Sequence, residues 1–423
     1  MRLLLKQLTV LDKNSPYHQE KVSILIENGI ITKIGKSIRI TKNVKAVEFK
    51  GAIVSIGWLD IGTQIGEPGY EHRETLKTVA AAAARGGFTE IACFPNTQPT
   101  ISTKSGVQYI RNNTKELLVD FHPIGAISKD CEGEELSEMV DLHHAGAIAF
   151  SDGRRSVQNN GLLMRALEYV KSFNGLIINH PHDKAIARNG MVHEGPISTG
   201  LGTPGIADMA ESIQVERDLS LRSYTDSKLF IHNISSKDSV QKIRVARANN
   251  KKNIYTSVPY LNLMYNDKAV EQFDANYKVL PPLRDEEDRM ALIDGIKDGT
   301  IDCITTNHKP VEVESKNLEF SRSSYGAIGL ETCFAAINTL LKKVITTRQL
   351  VQALAYKSRE ALNLKVPTIA IGENANLTIF DTEMEWTYDK KSIRSKSSNS
   401  PFVGYTFTGK VLAVVNNKKI QQF

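Results

Sequence analysis

The chain contains no run of about eighteen apolar residues, the length a helix needs to cross a bilayer, so no membrane span is expected. Its first residues, Met1-Arg2-Leu3-Leu4-Leu5-Lys6, are too short an apolar stretch for a signal-peptide core. A cytoplasmic protein is the expectation. Cysteine is scarce: Cys93, Cys131, Cys303 and Cys333 are scattered without metal-like spacing, which fits reduced core thiols and argues against a disulfide framework. The basic groups Lys251-Lys252, Lys390-Lys391 and Lys418-Lys419 lack the interleaved aromatics that stack on bases. The net charge of +6 is therefore read as a solvated surface, with no nucleic-acid partner and a weak preference for acidic partners or substrates left open.

With 423 residues, 41% of them hydrophobic and 24% charged, the chain can bury a large core and hold one big domain plus a smaller one. Residues 1 to about 55 carry short apolar runs (Leu3-Leu4-Leu5, Leu8 to Leu11, Val22 to Ile26, Ile30 to Ile34) punctuated by Gly29 and Gly35, which predicts a small antiparallel sheet. Ala375 to Asp381 and Val411 to Val415 are β-like, and Asn416-Asn417 suits a turn before Lys419-Ile420. Both ends are expected to share one β-sandwich.

Between them, apolar runs alternate with helical patterns. An opening strand, Ile53 to Leu59, is followed by Phe88 to Phe94, Phe121 to Ile127, Ala147 to Phe150, Leu176 to Ile178, Leu229 to Ile231, Ile254 to Val258 and Ile301 to Ile304. Helices are expected over Glu74 to Ala84, Ser236 to Ala248 with Ser236 as N-cap, and Glu286 to Ile296. Eight strands separated by helices predict an α/β fold, a (β/α)8 TIM barrel. The domain division is 1–55, 56–364 and 365–423, the outer two forming the sandwich. Chemistry is expected at the strand C-terminal ends, where Asn96, Asp152, His180, His232 and Asn307-His308 fall.

The stretch Trp58 to Glu74 resembles the signature of the dihydroorotases in the amidohydrolase superfamily, Asp-x-His-x-His-x-Arg-x-Pro-Gly. Asp60, Glu67, Pro68, Gly69 and Glu74 hold the register. Gly62 and Gln64 stand where the family has two metal-binding histidines, and Gly66 where it has a substrate-gripping arginine. Phe150 to Val157 resembles Phe-Ser/Thr-Asp-Asp-Gly-x-x-Val with Gly153 at the ligand aspartate and Arg154 where glycine is usual. Thr305 to Val311 resembles Ala-Thr-Asp-His-Ala-Pro-His with Asn307 at the catalytic aspartate. His180 and His232 match the two remaining metal histidines. Pro95-Asn96-Thr97-Gln98-Pro99 keeps a substrate-side motif, Leu280 replaces a substrate-binding asparagine, and Tyr325-Gly326 sits at a backbone contact. The resemblance covers nearly the whole chain.

In that family a two-metal site activates water for attack on a cyclic amide while the aspartate moves the proton. The resemblance therefore implies a dihydroorotase-like pseudoenzyme of pyrimidine biosynthesis, because Gly62, Gln64, Gly153 and Asn307 cannot do this work. No cofactor is expected. A structural or regulatory role beside aspartate carbamoyltransferase and a homodimer are implied by the resemblance alone. Alternatives stay open. His180 and His232 are satisfied core histidines, or they join His182 or Asp152 in one weak zinc site. Asp152 is a structural carboxylate bonded to its loop or to Arg154 or Arg155. Asn96 contacts substrate or caps the turn before Pro99. A working cyclic-amide hydrolase with a rebuilt zinc site and a non-hydrolysing ligand-binding module are the rival functions.

Overall fold

The apolar run from Ile53 to Leu59 belongs to two sheets. Ile53–Ile56 pairs with the strands of the chain ends, whereas Trp58–Thr63 opens the barrel, and the chain changes sheet at Gly57. A Cβ on Gly57 would lie 2.1 Å from both Asn376 Oδ1 and Thr89 Oγ1, so only glycine fits where barrel and sheet press together. This corrects the single opening strand expected from the sequence. The computed structural model describes residues 2–39, 44–249 and 253–423; Met1 and the Lys251-Lys252 pair lie outside them.

Eight parallel strands follow one another around the barrel: Trp58–Thr63, Phe88–Cys93, Asp120–Gly125, Ala149–Phe150, Leu176–Asn179, Lys228–Ile231, Ile254–Pro259 and Cys303–Thr305. The α/β TIM-barrel expectation is met, with strand ends displaced by a few residues. First and eighth strands are joined largely through side chains. Asp60, fully buried, accepts from Thr306 N and Thr306 Oγ1 (both 2.8 Å), and Gln64 N donates to His308 O (3.1 Å). The helix expected over Glu74 to Ala84 runs Leu76–Arg85, capped by Thr75. Glu74 stays outside because its carboxylate is taken by Ser395 Oγ, Lys396 N and Thr78 Oγ1. The other two helices run Lys237–Asn249, where Ser236 Oγ accepts from Ser239 N (3.2 Å), and Glu286–Asp298, capped by Asp285.

The chain ends form one hydrogen-bonded mixed sheet: Ile53–Ile56 pairs antiparallel with Leu377–Tyr388 and parallel with Arg2–Val10, and Tyr405–Asn416 continues it to Lys419–Gln422. All four cysteines are buried free thiols. Among the described residues no helix is long and apolar enough to cross a membrane.

At the closed end of the barrel Glu90 ties the pieces together. Its carboxylate accepts from Arg359 Nη2 (2.6 Å), His122 Nε2 (2.8 Å) and Asn376 Nδ2 (2.9 Å). Burial works to raise its pKa, but Arg359 and His122 outweigh it and hold the group at about 2. This network therefore contributes in full above the ordinary carboxyl value of 4.5 and is lost as pH falls toward 2. Glu90→Ala strands the fully buried Arg359 and is expected to lower unfolding free energy by about 3–5 kcal/mol near pH 7, measured by urea denaturation. A loss below about 1 kcal/mol would remove the network from the account of how barrel and sheet are joined.

Candidate functional site

The strand C-terminal ends bring Gly62, Gly153, His180, His232, Arg154 and Asn307 together at the barrel mouth. Gly62 has φ +86°, in the left-handed region, and a Cβ there would lie 2.7 Å from His232 Nε2 and 2.8 Å from Phe94 Cε2. Phe94 is buried with its ring edge-on to His232, centroids 5.0 Å apart. An aromatic side chain thus packs against the space that a residue-62 ligand would need. Gly153 has φ +63°, and its Cβ would lie 1.9 Å from Asn96 Oδ1. At Gly66 a Cβ would lie 2.4 Å from Glu74 O. Restoring the family side chains would require the backbone and its neighbours to move.

Asn96 clasps the neighbouring loop: Nδ2 donates to Asp152 O (3.0 Å) and Oδ1 accepts from Arg154 N (3.1 Å). Asp152 Oδ1 accepts from Ile127 N and Ser128 N (2.9 Å each), and Oδ2 from Ser128 Oγ (2.5 Å). These bonds hold it in its loop, paired with neither Arg154 nor Arg155. Gln64 is half-buried and joins the site through its backbone. Tyr325 Oη donates to Gly190 O (2.7 Å), and the Gly326 carbonyl accepts from Asn399 Nδ2 (3.1 Å).

His180 Nδ1 lies 3.2 Å from His232 O, and His232 Nδ1 lies 3.3 Å from Ser257 Oγ. Burial, then the neighbouring His182, pushes His180 down to about 4. Burial, then His180 and Arg154, pushes His232 well below its ordinary value. Both rings are neutral at pH 7, the form that could ligate.

The Arg154 guanidinium reaches across the mouth. Nη2 donates to Asn307 O (2.9 Å) and Nη1 to Leu280 O (3.2 Å), while Nε is buried without a hydrogen-bond partner. Burial lowers its pKa to about 10, opposed by Asp60. Asn307 Oδ1 accepts from Asn233 Nδ2 (3.1 Å), and its Nδ2 donates to Leu280 O (3.2 Å). An aspartate would turn a carboxylate oxygen toward that carbonyl, so this arrangement suits the amide. Lys309, beside Gly326, is pushed down to about 7, by burial and then by Arg154, Lys316 and Arg73.

These donors do not fit a two-metal centre: two of the family positions have no room for a side chain, and a guanidinium stands among the rest. Sequence reading did not find the Phe94 packing, the Lys309 amine, or the group formed by His193, Asp208 and Asp288, whose ligand atoms lie within 4.8 Å of one another. In that group Asp288 Oδ1 accepts from Lys237 N (2.7 Å), Oδ2 is buried without a partner, and burial raises the carboxyl to about 7. Arg284 Nη1 bonds Asp208 and lies 3.4 Å from His193 Nδ1, so a cation already stands there. The three residues come from distant segments with no motif to link them.

Comparison with known proteins bears on this geometry. The family model described as dihydro-orotase-like matches residues 51–239. A dihydroorotase of Syntrophus aciditrophicus is 37% identical over 423 residues, 99% of each chain. One of Acetivibrio thermocellus is 39% identical over 402 residues, 94% of each. Among solved structures, L-hydantoinase (dihydropyrimidinase) from Arthrobacter aurescens has TM-score 0.86 at 20% identity, covering 99% of this chain and 95% of that one. Dihydropyrimidinase from Brevibacillus agri has TM-score 0.83 at 21% identity, with the same coverage. At that identity the structural likeness establishes the fold alone.

Gly62→His and Gly153→Asp, each reinstating a family ligand, are expected to cost about 1–3 kcal/mol of stability through backbone strain and overpacking. Neither is expected to raise metal content. Urea denaturation and elemental analysis check this; a substitution that gained metal at unchanged stability would contradict the packing described.

Proposed function

The chain belongs to the dihydroorotase-type amidohydrolases, and within this cyclic-amide hydrolase family of pyrimidine metabolism we propose that it is a member without metal-dependent hydrolysis. The reading rests on one observation: the places of two family ligands, Gly62 and Gly153, are closed by His232, Phe94 and Asn96. Asn307 adds to it, since an amide cannot accept a proton and return it at neutral pH as a carboxylate does. In this reading His180 and His232 remain from a metal site, Asn96, Tyr325 and Gly326 remain from a substrate site, and no cofactor is held. The protein then serves as a structural or regulatory component, working as a dimer beside aspartate carbamoyltransferase in the cytoplasm.

A second reading is a working hydrolase with a rebuilt zinc site. The His193, Asp208 and Asp288 group favours it, as do relatives named dihydroorotase. Asp288 Oδ2 is available, but Arg284 competes for the other two ligands.

The two readings differ in metal content and turnover. The first expects sub-stoichiometric zinc in the purified protein and no interconversion of dihydroorotate and carbamoyl aspartate. Two zinc ions per chain with turnover would overturn it. One ion lost on His193→Ala, together with turnover, would establish the second.

A further inference from the structure

Asn307, His180 and His232 are only 6%, 5% and 2% exposed, so the barrel mouth they line is shut. The Leu280 carbonyl, on the connection after the seventh strand, accepts from both Arg154 Nη1 and Asn307 Nδ2 (3.2 Å each) and so spans that mouth. Two residues earlier, Lys278 reaches the other way, into the connection after the eighth strand. Its side chain is buried, and Nζ donates to three backbone carbonyls there: Phe320 O (2.6 Å), Ser323 O (2.8 Å) and Ser321 O (3.1 Å). The rings of Phe320 and Tyr325 lie 5.3 and 5.1 Å from it. Burial alone moves its pKa, downward, and among the described residues no carboxylate balances its charge. The exchange is reciprocal, because Lys316 Nζ donates to Ala275 O (2.6 Å) and Gly326 N to Lys278 O (2.9 Å).

The connection after the eighth strand runs from residue 306 to 332, past the roughly 12–15 residues beyond which loops are commonly lids or binding segments. It contains one short helix, Val313–Lys316. Val313 and Leu318 on it stay 55% and 49% exposed, and its buried Phe320 joins Val192 and Val270 in a small cluster apart from the barrel core. A segment that buries so little apolar surface, and is held by a few polar contacts, opens at lower free energy than the domain unfolds. The charged donor of Lys278 makes the strongest of those contacts. We propose that residues 309–326 are a lid on the barrel mouth, latched by Lys278 and able to open as a unit while the barrel stays folded. The lid goes beyond either reading of the mouth's chemistry, since a ligand hydrolysed there and a ligand merely held would enter by the same opening. Lys278 acts on the mouth through the loop, as a positioning residue.

Native-state hydrogen exchange of the full chain in low urea, followed by mass spectrometry, tests the lid. Residues 309–326 are expected to exchange through an opening that leaves the barrel strand Ile254–Pro259 protected. Lys278→Met, which takes a charged donor from three carbonyls, is expected to speed that exchange about tenfold or more with the strand unchanged. Access is read separately with diethyl pyrocarbonate, which acylates neutral imidazole. His180 and His232 are expected to react slowly in the wild type and about tenfold faster in Lys278→Met, while exposed His144 reacts equally in both. The wild-type exchange experiment needs no variant, so the proposal stays refutable if Lys278→Met fails to fold. Exchange of residues 309–326 only together with Ile254–Pro259, unchanged exchange in Lys278→Met, or histidines that react no faster once the latch is removed would each overturn it. None of these readouts depends on turnover of dihydroorotate, so the lid and the non-hydrolytic assignment fail separately.

Discussion

A guanidinium anchored by two carbonyl oxygens sets the character of the barrel mouth. Arg154 is held by Asn307 O and Leu280 O, and several oddities of the site follow from where it stands. The loop carrying it is fastened by Asn96, whose amide occupies the place of any side chain at position 153. Its charge adds to burial in keeping His180 and His232 neutral. A divalent ion approaching His180 and His232 would have to come near that fixed positive charge.

The scaffold around the barrel mouth is held by buried acids. Asp60 clasps the first strand to the eighth through Thr306. Glu74 links the first loop to His308 and to Ser395 in the C-terminal segment. Asp152 holds the turn at Ile127 and Ser128. Each is a buried acid near the strand C-terminal ends of the barrel, and each has its oxygens engaged by donors. Removing any of them would leave several donors unpaired.

Much of this was legible in the sequence. The eight apolar runs and the paired β-like ends point to the barrel and its companion sheet, because periodicity and turn residues act locally. The remainder depends on what lies opposite. The run Ile53 to Leu59 is uniformly apolar, and only Gly57 marks the point where it passes between sheets. Phe94 reads as the end of a buried strand until its ring is found against His232. Asn307 reads as a lost acid, and its fit as an amide becomes visible only beside Asn233 Nδ2 and the Leu280 carbonyl. Asp152 reads from the sequence as a structural carboxylate or a ligand, and its partners, two backbone amides and a serine about 25 residues upstream, cannot be named from spacing.

The pairing of Ile53–Ile56 with Leu377–Phe380 has a consequence for biosynthesis. When the early strand leaves the ribosome, its partner is still roughly three hundred codons from being translated, so one edge of the N-terminal sheet stays open while the barrel is made. An apolar strand with unpaired backbone is a surface that chaperones bind and that nascent neighbours on a polysome can join. That hazard ends when Leu377–Phe380 docks on the waiting edge.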